Sequence, residues 1–302
     1  MSLVRTIKLY RALSPPQKKI IRDKWIEFTM PPEMWLQFLK ELARFDKEGD
    51  ASRKAVGWTA GIAFIAAFLS IFVLPVGMEL GGPVGQLLVL LPLAAVGLGI
   101  LALIVFFALK RIDIANNLRL FVAPLIAILR EEMDPKEKLA LTMDFRGGNH
   151  KSKIQDETKH DPGRFRYPKI KETHYLDPWF DGRAQLADGG ILEWHVVDRI
   201  RKREITKKTP RGKIKSKTKY KGKRLMDVRL GLRQKEYGLA RGDQAAGDGS
   251  QVRVAVREGE SRNLFKLRRV KIFTALDSVV DLDEFLDLLA TAYRQVSLEA
   301  RS

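Results

Sequence analysis

Residues 55–109 contain two long apolar runs and, apart from Glu79, no charged side chain; no other feature narrows the folding choices of this chain as much. The first run, 55–78, and the second, 84–109, each exceed the roughly 20 residues with which a helix crosses about 30 Å of hydrocarbon. Both are long enough to tilt. A secretory leader starts at the N-terminus and has a shorter apolar centre, whereas 54 mostly amphipathic residues come first here, so the first run reads as a retained anchor. Arg53 and Lys54 flank its start and Lys110 and Arg111 flank the end of the second run, while the link Glu79-Leu-Gly-Gly-Pro-Val84 has neither Lys nor Arg. The positive-inside bias then predicts an integral membrane hairpin with both termini on the cytoplasmic side of a plasma or inner membrane.

The spans do not read as a conduit. Ionisable groups mark ion and proton paths in a bilayer, and the interior of these runs offers only Thr59, Ser70 and Gln86 as polar side chains. Gly57-Trp-Thr-Ala-Gly61 has the small-xxx-small spacing that lets helices approach closely, which makes self-association through the spans one expectation. Pro75 and Pro92 mark a helix end and a kink.

Outside the spans the chain reads as three further regions. Residues 1–54 predict short cytoplasmic helices: Ser14-Pro15-Pro16-Gln17 and Met30-Pro31-Pro32-Glu33 place proline where a helix begins, and Trp35, Phe38, Leu39, Leu42 and Phe45 share one helical face. Residues 49–54 read as a hinge. Residues 110–134 predict a continuing juxtamembrane helix that lifts the next domain off the bilayer, with Ile112, Ala115, Leu118, Val122, Leu125 and Leu129 as its stripe and Pro124 as a bend. From residue 135 the period turns to two. Leu139, Leu141, Met143 and Phe145 alternate with polar or small residues, 182–187 and 191–194 flank the turn Asp188-Gly189-Gly190, and Val252, Val254 and Val256 alternate again. Residues 147–173 read as a long polar loop pinned by Phe165 and Tyr167, and 238–250 as a Gly-, Ala- and Asp-rich loop. A last helix starts at the capping-box pair Asp281 and Glu284, with Leu282, Phe285, Leu286, Leu289, Tyr293 and Val296 as its stripe. The fold class expected for 135–302 is therefore α+β, a mainly antiparallel β sandwich or strongly curved sheet with a C-terminal helix.

The charge is concentrated in one place. Residues 199–224 hold 14 Lys and Arg against one acid, Glu204, so 14 − 1 = +13 of the chain's +18 lies there. Thr209-Pro210-Arg211-Gly212-Lys213 fits a three-residue hairpin loop, with proline fixing φ for a type I turn and Gly212 free to go left-handed. With Thr209 facing Lys213, Trp194 falls opposite Val228, Val196 opposite Met226 and Asp198 opposite Arg224, a core grading into a salt bridge. The other face carries Arg199, Arg201, Arg203 and Lys207 against Lys213, Lys215, Lys217, Lys219, Lys221 and Lys223. Like charges across a ladder oppose folding, so these residues point to an anionic partner: anionic lipid or an acidic protein first, nucleic acid or a ribosome second. Sequence-specific reading of bases is disfavoured, because Tyr220 is the only aromatic near the tip, and the tip has no Asn or Gln.

No chemistry stands out elsewhere. The chain has no cysteine, which removes disulfides, thiolate metal sites and a thiol nucleophile. His150, His160 and His174 lie among acids in 147–174 without ligand spacing, and His195 reads as a strand residue, so no metal or other cofactor is expected. Asp177-Pro178-Trp179-Phe180 reads as a core plug. The expectation is a non-enzymatic scaffold or adaptor, with a membrane-bound hydrolase using the 147–174 loop as the remote alternative.

Overall fold

The computed structural model describes residues 2–161, 168–209, 212–239 and 252–298. Phe165, Tyr167, Pro210, Arg211 and most of the 238–250 stretch lie outside the described residues. The chain divides into two compact units, Met1–Arg22 with Lys40–Ile114 and Asp23–Leu39 with Ala115–Ser302.

In the first unit, α1 (Ser2–Ala12) and α2 (Pro15–Asp23) precede the long helix α3 (Pro32–Ser70), whose residues from Lys40 onward belong here. The Ser14 turn works as expected of a proline-started helix: the side-chain oxygen of Gln17 accepts from the Ser14 amide at 2.8 Å and from its hydroxyl at 2.9 Å. Tyr10 meets Phe45 at 5.8 Å between ring centres, and the Thr6 hydroxyl donates to the carbonyl of Glu48. The 49–54 segment is not a hinge. It is unbroken helix within α3, and Arg53 pairs with Asp50 one turn back and with Asp113 at 2.5 Å.

After α3 come a short 3-10 turn (Ile71–Val73), α4 (Leu74–Leu80) and α5 (Gly82–Arg111). The reversal sits at Gly81 and Gly82, with φ of 56° and 60°, a left-handed region that a side chain disfavours. The two arms are antiparallel neighbours: a Cβ on Gly57 would meet Phe106, one on Gly99 would meet Phe64, and one on Gly77 would meet Leu88. Gly61 has nothing within 4 Å, so the Gly57/Gly61 spacing is not what brings the arms together. The backbones come close at Gly85, where a Cβ would lie 2.5 Å from the Gly77 carbonyl oxygen. Both helices are long and apolar enough to cross a membrane, and Phe68, Phe72, Leu87, Leu93, Ile104 and Phe107 point outward.

The second unit is built on one eight-stranded antiparallel sheet: β1 (Trp25–Met30), β2 (Leu139–Asp144), β3 (Ile154–His160), β4 (Lys169–Gln185), β5 (Ile191–Lys208), β6 (Ile214–Arg233), β8 (Val252–Arg257) and β9 (Arg262–Phe273). Its order is β1-β2-β4-β5-β6-β9-β8, with β3 added beside β4. A two-stranded ribbon joins β7 (Tyr237–Leu239) to β10 (Val296–Leu298). No second sheet of sandwich size occurs among the described residues, so one large sheet with helices on a single face replaces the sandwich. Two strands correct the helix and loop expectations. Trp25–Met30 pairs with β2 instead of forming a helix, and Ile154–His160 pairs with β4 inside what read as a loop.

The covered face is the core. Phe180, Trp194, Val196, Met226, Val228 and Phe265 are fully buried. Phe121 packs on Phe180 and Phe285 at 5.6 Å each, and the Trp35 indole donates to the Leu139 carbonyl at 2.9 Å. Each such aromatic hides about 150–250 Å², or on the order of 4–6 kcal/mol at ~25 cal/mol per Å². Most of the expected stripe of 110–134 is buried here too, but the helix does not run on unbroken. α5 ends at Arg111, a π-helical turn (Leu118–Val122) runs into α6 (Ala123–Glu132), and Leu118, Val122, Leu125 and Leu129 are buried in this core. Pro124 lies in the first turn of α6, where its missing amide hydrogen does no harm. The last helix, α7 (Leu282–Tyr293), starts at Asp281, which accepts from the Asp283 amide at 3.1 Å, and buries Phe285, Leu288 and Ala292. Glu284 does not complete the capping box; it pairs with Lys271 at 2.6 Å.

Candidate functional site

The charged stretch 199–224 forms the outer parts of β5 and β6. Their turn closes through the Thr209 amide donating to the Lys213 carbonyl at 2.8 Å and the Gly212 amide to the Thr209 carbonyl at 2.9 Å, with Gly212 at φ 78°. Trp194 faces Val228, Val196 faces Met226 and Asp198 faces Arg224. On the other face Arg199 stands opposite Lys223, Arg201 opposite Lys221, Arg203 opposite Lys219 and Lys207 opposite Lys215; Lys217 faces Ile205, and Lys213 sits at the turn. Arg203 is joined to Glu172 of β4, while for Arg199, Arg201, Lys207, Lys213, Lys215, Lys217, Lys219, Lys221 and Lys223 no carboxylate lies within salt-bridge reach among the described residues.

The ribbon's underside anchors only its inner half. Tyr175, Ile200 and Phe273 form a small buried cluster against which Tyr220 and Leu276 pack. Gly222 is needed there, since a Cβ would lie 2.1 Å from the Phe273 ring. Farther out the underside is polar, with Lys202 paired to Glu204 at 2.6 Å and Thr206 beside Ser216, and at the end Ile214 is exposed.

At the root lies a buried charge network that periodicity alone does not reveal. The Arg224 guanidinium grips Asp198 with two hydrogen bonds, 2.8 and 2.7 Å, donates a third to the Ser278 carbonyl at 2.9 Å, and lies 5.0 Å from the Phe273 ring centre. Asp177 stands opposite Asp198 across β4 and β5 and receives Lys153 at 2.6 Å; Lys153 also reaches Asp144 at 3.1 Å, which Arg146 holds with two hydrogen bonds. Burial pushes the Asp177 carboxyl up to about 6 against the pull of Lys153, and the nearby Asp198 and Asp144 add to the rise. Burial also works against the Asp144 anion, but Arg146 and Lys153 outweigh it and hold that group below its usual range. Trp179 and Phe180 do plug the core, as expected of the Asp177-Pro178-Trp179-Phe180 stretch.

Beside the root, on the cationic face, a groove of about 590 Å³ opens between β4, β5, β6 and β9, lined among others by Arg199, Arg201, Lys221 and Lys223 with Leu176 and Ile272. The histidines serve smaller ends. His150 accepts from the Ser152 amide, His174 lies 3.9 Å from Glu172, and His195 pairs with Asp181 on the open face instead of filling it. Among the described residues none of the four belongs to a cluster of metal-ligating side chains; in the one such cluster, Asp46, Asp50 and Asp113, the last two already pair with the Arg53 guanidinium. No family model matches the chain, and no curated protein or solved structure is detectably similar to it.

Proposed function

We propose that this chain is a non-enzymatic, membrane-anchored scaffold. In this reading its two apolar helices cross the bilayer as a hairpin with both termini cytoplasmic, and its basic ribbon engages an anionic surface, either anionic lipid or an acidic protein. The observation that carries the reading is the face on which like charges stand opposite one another with, among the described residues, no carboxylate but Glu172 within salt-bridge reach. Each opposed pair works against the ladder, so the arrangement gains nothing for folding and gains attraction only when something negative is present. Each cation near an anionic leaflet contributes roughly 1 kcal/mol, decaying over about 8–10 Å. A nucleic-acid tether would use the same charges, but Tyr220 packs into the cluster beneath the ribbon and is not free to stack on bases.

Two measurements test the proposal. Full-length protein in zwitterionic nanodiscs should co-float with phosphatidylglycerol vesicles, and the variant with Lys215, Lys217 and Lys219 changed to Ser should not; equal flotation of both would sink the ribbon's role. Because the chain has no cysteine, single cysteines at Ser2 and Ser261 report topology cleanly. Both should resist an impermeant maleimide added from outside, and labelling of one alone would remove the hairpin.

A further inference from the structure

The cations of the ribbon are not all alike. Among the described residues, the outer cations of the exposed face are lysines, Lys207, Lys213, Lys215 and Lys217, strongly hydrated point charges on flexible stems, whereas arginines stand on the inner half of β5, at 199, 201 and 203. Of these, Arg203 is taken by Glu172, which leaves Arg199 and Arg201. They face Lys223 and Lys221 in successive rungs of the same face, so four cations stand at the corners of a patch about 5 Å across the strands and about 6.6 Å along them. A monovalent carboxylate or phosphodiester compensates one corner of such a patch; a dianionic phosphate compensates two and accepts from both guanidinium forks at once. The patch is also concave, forming one wall of the 590 Å³ groove, whose remaining lining mixes the polar Gln155 and His174 with the apolar Leu176 on β4 and Ile272, 60% exposed, opposite Lys223 on β9.

We propose that this groove is a binding site for a phosphomonoester or pyrophosphate group, held by Arg199, Arg201, Lys221 and Lys223. The inference rests on the ribbon being an anion-binding element and names the anion. Two sources carry that chemistry, a phosphomonoester lipid headgroup and a soluble phosphorylated molecule, and Ile272 separates them. A headgroup brings acyl chains to Leu176 and Ile272; a free phosphate does not.

The test uses full-length protein in zwitterionic nanodiscs and inorganic pyrophosphate, followed by calorimetry. The groove variant Arg201→Gln/Lys221→Gln should weaken pyrophosphate binding by about tenfold or more. The control Arg229→Gln/Lys266→Gln, which removes the same charge from an exposed rung elsewhere on the sheet, should change it by less than about twofold. Equal losses in the two variants would show attraction to net charge alone and overturn the site. That result would leave the scaffold reading standing if flotation with phosphatidylglycerol still depends on Lys215, Lys217 and Lys219. Wild-type protein that binds no pyrophosphate at low salt also overturns the site. Given a groove-dependent signal, Ile272→Ser supports the lipid source if it weakens capture of phosphatidic acid vesicles and spares pyrophosphate, and supports the soluble source if both are spared.

Discussion

The Arg224 guanidinium and the Asp198 carboxylate form a two-pronged pair, 2.8 and 2.7 Å, with both side chains buried at the rung where β5 and β6 pass from aromatic core to charged ribbon. Such a pair adds little net stability over an apolar one, but breaking it strands a buried charge. Asp198→Ala should therefore lower stability by about 3–5 kcal/mol. The double variant Asp198→Leu/Arg224→Met, which removes both charges and keeps volume, should recover most of that loss. Chemical denaturation of the three proteins in the same detergent checks both signs, and a double variant no better than the single would show that the pair contributes more than its charge balance.

Asp177 should make stability depend on pH in an unusual direction. Its folded pKa of about 6 lies above the ordinary 3.8, so between these values the folded chain holds a proton that the unfolded chain releases. That contribution is fully present below the unfolded value and is lost as pH rises through the folded one. A rise from 3.8 to about 6 corresponds to on the order of 2–3 kcal/mol. Asp177→Asn, uncharged throughout, should gain on wild type by roughly that amount between about pH 4.5 and pH 7.5. Asp144 has the opposite sign: its pKa is lowered, so its contribution is present above the ordinary value and is lost only as pH falls through the folded one, below this window. Paired thermal melts across the range decide the matter; a flat difference would place the Asp177 proton elsewhere.

The register of β5 and β6 was legible down to single residue pairs because a turn signal and two alternating faces all agree on one pairing. The two long apolar helices were legible because charge is all but excluded from 55–109, a stretch longer than the apolar core of an ordinary soluble helix. β3 was not: Gln155 to His160 carries no apolar alternation, every residue of the strand is exposed, and only the backbone of β4 selects that conformation. β1 left a usable sign in Trp25, Ile26, Phe28 and Thr29, good strand formers, which the neighbouring proline motifs outweighed. The stripe of 110–134 is legible as a buried face while its partner is not, since periodicity says that a face is buried and not what buries it. Lys153 and Asp177 are 24 residues apart, and nothing local announces that they meet.

The arms of the apolar hairpin should separate when the close approach at Gly85 is filled. A Cβ on Gly85 would sit 2.5 Å from the Gly77 carbonyl oxygen, a backbone atom that cannot rotate away, whereas one on Gly61 would meet nothing within 4 Å. Gly85→Val should lower the melting temperature in detergent, and Gly61→Ala should leave it unchanged or raise it slightly, since alanine is the better helix former. Since the chain lacks cysteine, a disulfide introduced between positions 57 and 106 adds a second readout, and it should form less readily in Gly85→Val. Equal melting of the two glycine variants would mean that the arms are held by something other than this approach.

Stability and binding should move in opposite directions on the ribbon. Arg201 faces Lys221 without a carboxylate between them among the described residues, so Lys221→Glu turns a repulsive rung into an attractive one. For a chain of this length the gain should appear as a rise in melting temperature of roughly 1–2 °C at low salt. It should shrink in 1 M salt, where the screening length falls to about 3 Å and the wild-type repulsion is itself relieved. The same variant should bind pyrophosphate and anionic vesicles more weakly, because it places an acid in the groove. A residue that weakens the fold in isolation and strengthens capture of an anion is one retained for the anion. A Lys221→Glu protein that is less stable than wild type would instead mean that the ribbon's cations support the fold, and that the pairing of Arg201 with Lys221 is tolerated for structural reasons alone.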